Sequence, residues 1–181
     1  MRDYKKTIRA FTLVELMVTL AVATILITIA VPSFTSMYEA SRSDSAIRNI
    51  QQSLTVARSH AVSYGAIVTV CPLSGTSCGT DWQNGYSIFI DNGTIGTLDS
   101  TDGVTDQVIR EVDAFNSNDF VSYALSSISF SPEGMLTGIS SGANRQIVYC
   151  PSSKTNEHSK AIDIISSGKV RTSTATGLSC S

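Results

Sequence analysis

Phe11 to Val31 is a run of 21 residues that is apolar throughout except for one charged side chain, Glu15, and a few threonines. As a helix rising about 1.5 Å per residue it covers roughly 31 Å, close to the hydrocarbon thickness of a bilayer, so it can span a membrane. Met1 to Ala10 precede it with Arg2, Lys5, Lys6 and Arg9 against one acid, Asp3. Such a basic leader is held on the cytoplasmic membrane face.

Several readings of this segment compete. A cleaved secretory signal has a shorter apolar core. A plain membrane anchor explains the length and the flanking charge but not Glu15, whose carboxylate costs roughly 2.5 to 3.5 kcal/mol at mid-bilayer. As an acid in a first helical turn, Glu15 is favoured by the helix dipole, provided that the helix starts near Phe11. Cleavage before Phe11 creates that start.

Ala10-Phe11-Thr12-Leu13-Val14-Glu15 resembles the type IV prepilin processing site, where a membrane peptidase cuts before phenylalanine and the new amino terminus is N-methylated. Ala10 stands where that family usually has glycine. The resemblance implies Ala10 and Phe11 as processing residues, prepilin peptidase and other major and minor pilins as partners, and Glu15 as an assembly residue. It also implies single-pass insertion in the bacterial inner membrane, with the head in the periplasm before the subunit enters a fibre. Pro32 falls where pilins commonly kink; physically, it removes a backbone N–H and crowds the carbonyl of Thr28, so a bend or a loosened turn is expected.

Without the leader, 171 residues remain, with nine basic and fourteen acidic side chains, a formal charge of −5. This is not a broadly basic nucleic-acid binder. Beyond the apolar run some 150 residues suffice for one modest domain with its own core. The expected organisation is a leader at 1–10, a transmembrane and assembly helix at 11–31, an amphipathic helix at 32–65 and a β-rich head at 66–181.

From Ser33 to Tyr64 the pattern is helical: Ile47, Ile50, Leu54, Ala57, Ala61 and Tyr64 step by three and four, while Arg48, Gln51, Gln52, Arg58 and Ser59 lie off that stripe. The stripe also suits a coiled-coil seam, but six positions are few for one and packing on a sheet is preferred. Gly65 is the expected stop. Strands are expected over Ile67–Cys71, Tyr86–Ile90, Val108–Val112, Ile128–Phe130, Arg145–Cys150 and Ala161–Ile165, with a turn at Pro132-Glu133-Gly134. Asn92 to Gln107 is the longest turn-rich loop, a surface feature that varies freely or binds a partner.

The four cysteines, Cys71, Cys78, Cys150 and Cys180, lie in the region expected outside the membrane, and an even count there argues for disulfides. Of the three pairings, Cys71 with Cys78 and Cys150 with Cys180 is favoured: the first closes a small loop containing Pro72 and Gly75, and the second ties the C-terminus to a strand. A zinc site is the rival, but no cysteine pair has the gap of a zinc knuckle, and His60 and His158 lie far off.

Cys71-Pro72, Trp82 with Gly85 and Tyr86, Phe89 with Asp91, Phe130 with Gly134, Cys150, Ile164 through Gly168 and Arg171 to Cys180 resemble the GspH/FimT type of minor pilins and pseudopilins. The resemblance implies an α+β type IV pilin fold: a long N-terminal helix, half transmembrane and half amphipathic, packed on a C-terminal antiparallel β-sheet head. Gly168-Lys169-Val170-Arg171 resembles the Gly-Arg-x-Arg motif of DNA-binding FimT-type pilins, with lysine at the first basic position. That implies Lys169 and Arg171 as a site for double-stranded DNA. A plain reading of the same residues is a hairpin with two exposed bases.

Catalysis finds little support. Gly138-Ile139-Ser140-Ser141-Gly142 matches the hydrolase nucleophile elbow in letters, but that elbow needs a strand before it and a helix after it. Asp91, Asp99, Asp102 and Asp106 fit no EF-hand spacing, and a solvated acidic loop is preferred to a calcium site. No catalytic residue, metal or cofactor is expected. The expected function is that of a minor pilin that helps prime or cap a type IV pilus; the alternatives are a DNA-binding minor pilin for transformation and a type II secretion pseudopilin.

Overall fold

The computed structural model describes residues 11–180 apart from 102, 140, 141 and 143. The basic leader with Ala10, Asp102, and Ser140 and Ser141 of the glycine–serine motif thus lie outside the described residues. The chain divides into two compact units, one up to Tyr38 and one from Glu39 onward. One helix, α1 (Leu13–Tyr64), contributes to both.

In the second unit α1 buries Ser43, Ile47, Ile50, Ser53, Leu54, Ala57 and Ala61, which steps of three and four place on one face. Ile47, Ile50 and Leu54 contribute about 1.5–3 kcal/mol each by leaving water. Tyr64, expected on this stripe, is instead 60% exposed, and its ring stacks on His60 at 5.4 Å. The buried face ends at Ala61 because the chain leaves the helix there: Gly65 takes φ 62° and the N–H of Ala66 donates to the carbonyl of Ala61 at 3.3 Å. A left-handed glycine with this six-to-one bond is a Schellman stop.

The strands follow as β1 (Val68–Cys71), β2 (Leu73–Ser74), β3 (Ser77–Cys78), β4 (Tyr86–Ile90), β5 (Ser100–Thr101), β6 (Val104–Thr105) and β7 (Gln107–Val112), then β8 (Phe120–Ser122), β9 (Ile128–Phe130), β10 (Leu136–Thr137), β11 (Gln146–Cys150), β12 (Lys160–Ile164) and β13 (Val170–Thr172). A 3₁₀ turn, Trp82–Asn84, precedes β4. One sheet has the order β10-β9-β1-β4-β7 and a second β13-β12-β11-β8, both antiparallel; β2-β3 and β5-β6 are short ribbons. Gln146–Cys150 thus follows the glycine–serine motif as a strand, where a hydrolase elbow needs a helix.

Both sheets send alternate side chains to the helix face. Val68, Val70, Ile88, Ile128 and Phe130 come from the larger sheet, and Ile147, Tyr149, Ile162 and Ile164 from the smaller, into one core with Ile50 and Leu54. The reverse face of the smaller sheet carries Val148, Cys150 and Ala161 beneath Cys180. Cys71 is bonded to Cys78 and Cys150 to Cys180, with Cα separations of 5.5 and 6.2 Å. The two sheets are stitched where the N–H of Leu136 donates to the carbonyl of Ser166 at 3.0 Å.

The acidic loop is not the solvated feature its composition suggests. Asp91 is 1% exposed and Asp106 8%. The Thr69 hydroxyl and the Gly96 N–H donate to Asp91 Oδ2 at 2.6 and 2.8 Å. Asp106 accepts from the N–H groups of Asn92 and Asp99 at 2.8 and 3.0 Å, so these carboxylates organise the loop from within. Burial, with repulsion from Asp106 and Asp99, raises the Asp91 carboxyl above its ordinary range despite those two donors.

Candidate functional site

In the first unit the helix begins at Leu13, and Thr12 and Glu15 cap it reciprocally. The Thr12 N–H and hydroxyl donate to Glu15 Oε2 at 3.0 and 2.9 Å, and the Glu15 N–H donates to Thr12 Oγ1 at 3.2 Å. This is a capping box, and it satisfies donors that a helix start leaves without partners. Around it the apolar side chains are bare: Phe11, Leu13, Val14 and Met17 are each more than 60% exposed. The helix is long and apolar enough to cross a membrane. Glu15, the one charged side chain of its apolar stretch up to Val31, therefore sits at its start among apolar surface that needs covering.

Pro32 lies inside α1, which is helical without a break on both sides. Lacking an N–H, Pro32 leaves the Thr28 carbonyl without its usual donor. The hydroxyls of Thr28 and Thr35 donate to the carbonyls of Ile25 and Val31, at 2.7 and 3.1 Å.

Where the helix enters the head, three successive polar contacts fasten it to the β11–β12 loop and the start of β12. Asn156 donates to Glu39 Oε2 at 2.8 Å, Arg42 donates to Ser152 Oγ at 3.0 Å, and Lys160 pairs with Asp44. These donors hold Glu39 and Asp44 below the usual carboxylate range, Ser152 acting first on Glu39 and Lys160 on Asp44. Arg42 also reaches Asp119, a carboxylate with no exposed side-chain surface, which takes the Tyr149 hydroxyl and the Ser152 N–H as well. Ser152 sits at φ 57°, the one described non-glycine residue with positive φ, and supplies both groups to this knot. Nothing local in the sequence marks it, since its bonded pairs are 30 to 110 positions apart.

Lys169 and Arg171 lie on the hairpin between β12 and β13, both exposed. Arg171 lies within β13, whereas Lys169 precedes the strand at the end of the turn. Arg171 Nε is 3.8 Å from Asp163 Oδ2, a loose and mostly solvated pairing. Gly168 before them is fixed by packing: a Cβ there would lie 2.0 Å from the carbonyl oxygen of Gly134, and its φ is 75°. The same oxygen accepts from Arg58 Nε at 2.8 Å, so an arginine read as off the helical stripe closes this corner. Among the described residues no group of three or more His, Cys, Asp or Glu is placed to hold a metal.

Two stretches of the chain match known families. Residues 5–31 match the prokaryotic N-terminal methylation motif, and residues 46–168 match the family described as type II transport protein GspH, which covers most of the buried helix face, the larger sheet, and β8, β11 and β12 of the smaller one. The chain belongs to the GspH family. The fold is that of type IV pilins: it is similar to crystal structures of the minor pilin FimU of Pseudomonas aeruginosa. One crystal form gives 22% identity and a TM-score of 0.57 over 80% of this chain and 99% of that one. A second gives 23% and 0.54 over 76% and 99%. The minor pseudopilin EpsH of the type 2 secretion system of Vibrio cholerae is more distant, at 9% identity and a TM-score of 0.41 over 73% and 96%. No curated protein matches the chain closely enough to show a relationship.

This GspH-family chain thus belongs by sequence to a type II transport family and shares its fold with type IV minor pilins. The methylation motif implies prepilin processing, and the apolar helix is long enough for membrane anchoring.

Proposed function

We propose that this GspH-family chain is a minor type IV pilin that helps prime or cap pilus assembly, with no chemistry of its own. The observation that carries the reading is Glu15, the only charged side chain between Phe11 and Tyr38, placed in the first turn of a bare apolar helix. Processing at Ala10-Phe11 leaves a positive amino terminus close to Glu15. In a bundle of such helices Glu15 pairs with the amino terminus of a neighbouring subunit, since opposite charges together offset a desolvation cost that neither bears alone. The single chain keeps the carboxylate on Thr12, and the neighbour's terminus competes for it. On this reading the anchor is the inner membrane, the head folds in the periplasm, and residues 11–31, 32–65 and 66–181 act as assembly helix, supporting helix and head.

Intact mass of the protein from sheared pili tests the reading. A chain beginning at methylated Phe11 is expected. Glu15→Ala is expected to be processed but at least ~10-fold depleted from the fibre, the scale of losing about 1.4 kcal/mol of subunit affinity. Normal incorporation of that variant defeats the pairing, and confinement of the wild-type protein to the envelope favours a secretion pseudopilin instead.

A second reading, as a DNA-binding pilin for uptake, is favoured by the exposure of Lys169 and Arg171 two positions apart at their hairpin. Two or three phosphate contacts imply micromolar or weaker binding, little sequence preference and a log-log salt slope of roughly −2 to −3. Gel shift at low salt with the Lys169→Gln, Arg171→Gln double variant decides it; equal binding by wild type and variant ends this role.

A further inference from the structure

β7 is the outer strand of the five-stranded sheet and, at six residues, the longest strand among those described. It pairs with β4 on one side only. Among the described residues, no hydrogen bond joins its other side to the rest of the head. The opposite edge of the sheet differs, because β10 there is closed by the hydrogen bond from Leu136 to Ser166. An open row of backbone donors and acceptors is a template for another strand.

Beside the end of β7 lies a cleft of about 470 Å³ between the sheet and the β2–β3 ribbon. Asp81, Glu111 and Asp113 line it, with no lysine, arginine or histidine. Glu111 stands opposite Ser87, which is on the face of the sheet that also bears Cys71. An added strand would set its own side chains beside Glu111 on that face, where an opposite charge stabilises a cross-strand pair.

We propose that the free edge of β7 docks an extended segment of a different subunit, one that carries a lysine or arginine into the Glu111 cleft. The proposal rests on the fibre reading above. Backbone hydrogen bonds along β7 supply general affinity, and the acidic cleft selects the partner. A second copy of this chain is the poorer occupant. An antiparallel self-pair about a two-fold normal to the sheet keeps like faces together, so it brings another Glu111 to the acidic face; Arg110, the base on this strand, alternates to the other face. The bulge between Ile88 and Phe89 further guards the edge against indiscriminate pairing.

The test compares amide hydrogen exchange of the full processed protein in sheared pili and in detergent micelles, with a photoreactive residue at Gln107 to capture the neighbour. The Gln107–Val112 amides are expected to exchange at least ~10-fold more slowly in pili, as for strands with paired backbones. Adducts are expected on another subunit, with a lysine or arginine within a few residues. Glu111→Lys, which leaves the melting temperature in detergent unchanged, is expected to remove the slowing. Unchanged exchange in pili, slowing that survives Glu111→Lys, or adducts to a second copy of this chain each overturn the proposal. Absence of the protein from pili overturns the fibre reading and this proposal together, whereas presence with an unprotected β7 overturns this proposal alone.

Discussion

Arg42 Nη2 lies 2.7 Å from Asp119 Oδ1, and the Asp119 side chain has no exposed surface. The pair joins the helix to the segment before β8 and is completed by Tyr149 and Ser152. Breaking one side of a buried ion pair costs about 3–5 kcal/mol, because the remaining charge keeps its desolvation penalty. Asp119→Ala is therefore expected to lower the melting temperature of the detergent-solubilised protein by roughly 10 °C. Asp119→Asn, which keeps an acceptor, is expected to lose less. A shift of the size of an exposed-pair mutation would show that the knot contributes little.

Gly168 and Gly177 have similar positive φ angles, 75° and 67°, but different surroundings. A Cβ at Gly168 meets the Gly134 carbonyl oxygen at 2.0 Å; at Gly177 nothing lies within 4 Å. Gly177→Ala is expected to cost about 1 kcal/mol for backbone strain alone. Gly168→Ala adds displacement of a packed hairpin and is expected to cost about 2–4 kcal/mol. Equal melting shifts would remove the close approach as the reason for this glycine.

The two disulfides close loops of different length, with sequence separations of 7 and 30. The chain-entropy model assigns roughly 2.5 and 3.5 kcal/mol to them. Cys180→Ser is therefore expected to destabilise the head more than Cys78→Ser, by about 1 kcal/mol, read from urea unfolding of each variant. Equal or reversed midpoints would contradict the ranking.

Asp91 gives a prediction with a defined sign. Its folded-state carboxyl is raised by burial, so its contribution to stability is full below the unfolded-state value and is lost as pH rises through the raised one. Asp91→Asn removes that titration. The melting temperature of wild type relative to Asp91→Asn is expected to rise as pH falls from neutral toward 4. A difference constant over that range would mean that Asp91 titrates normally.

Local pattern carried much of the fold. The helix face from Ile47 to Ala61 and the strands at Val68–Cys71, Tyr86–Ile90 and Lys160–Ile164 follow periodicities of 3.6 and 2, which short windows contain. Tyr64 continued that period past the point where the sheet supports it. Phe120–Ser122 is three residues among asparagines and serines, too short for alternation to show. Arg42 and Asp119 are joined by folding across 77 positions, and Asp91 is buried by a loop whose composition reads as solvated. Neither outcome has a local signature.

Glu39, Arg42 and Asp44 tie α1 to the loop between β11 and β12 and to Lys160 at the start of β12, and Cys150–Cys180 bonds the root of that loop covalently to the C-terminal tail. A pull on the helix is therefore shared among several contacts to the head. It cannot unzip the smaller sheet by peeling the tail away from β11 while that disulfide is intact. In a subunit whose helix bears tension, the Cys150–Cys180 bond guards the head against mechanical failure, and reducing it is expected to lower the force at which the head gives way before it changes anything about how the helix assembles.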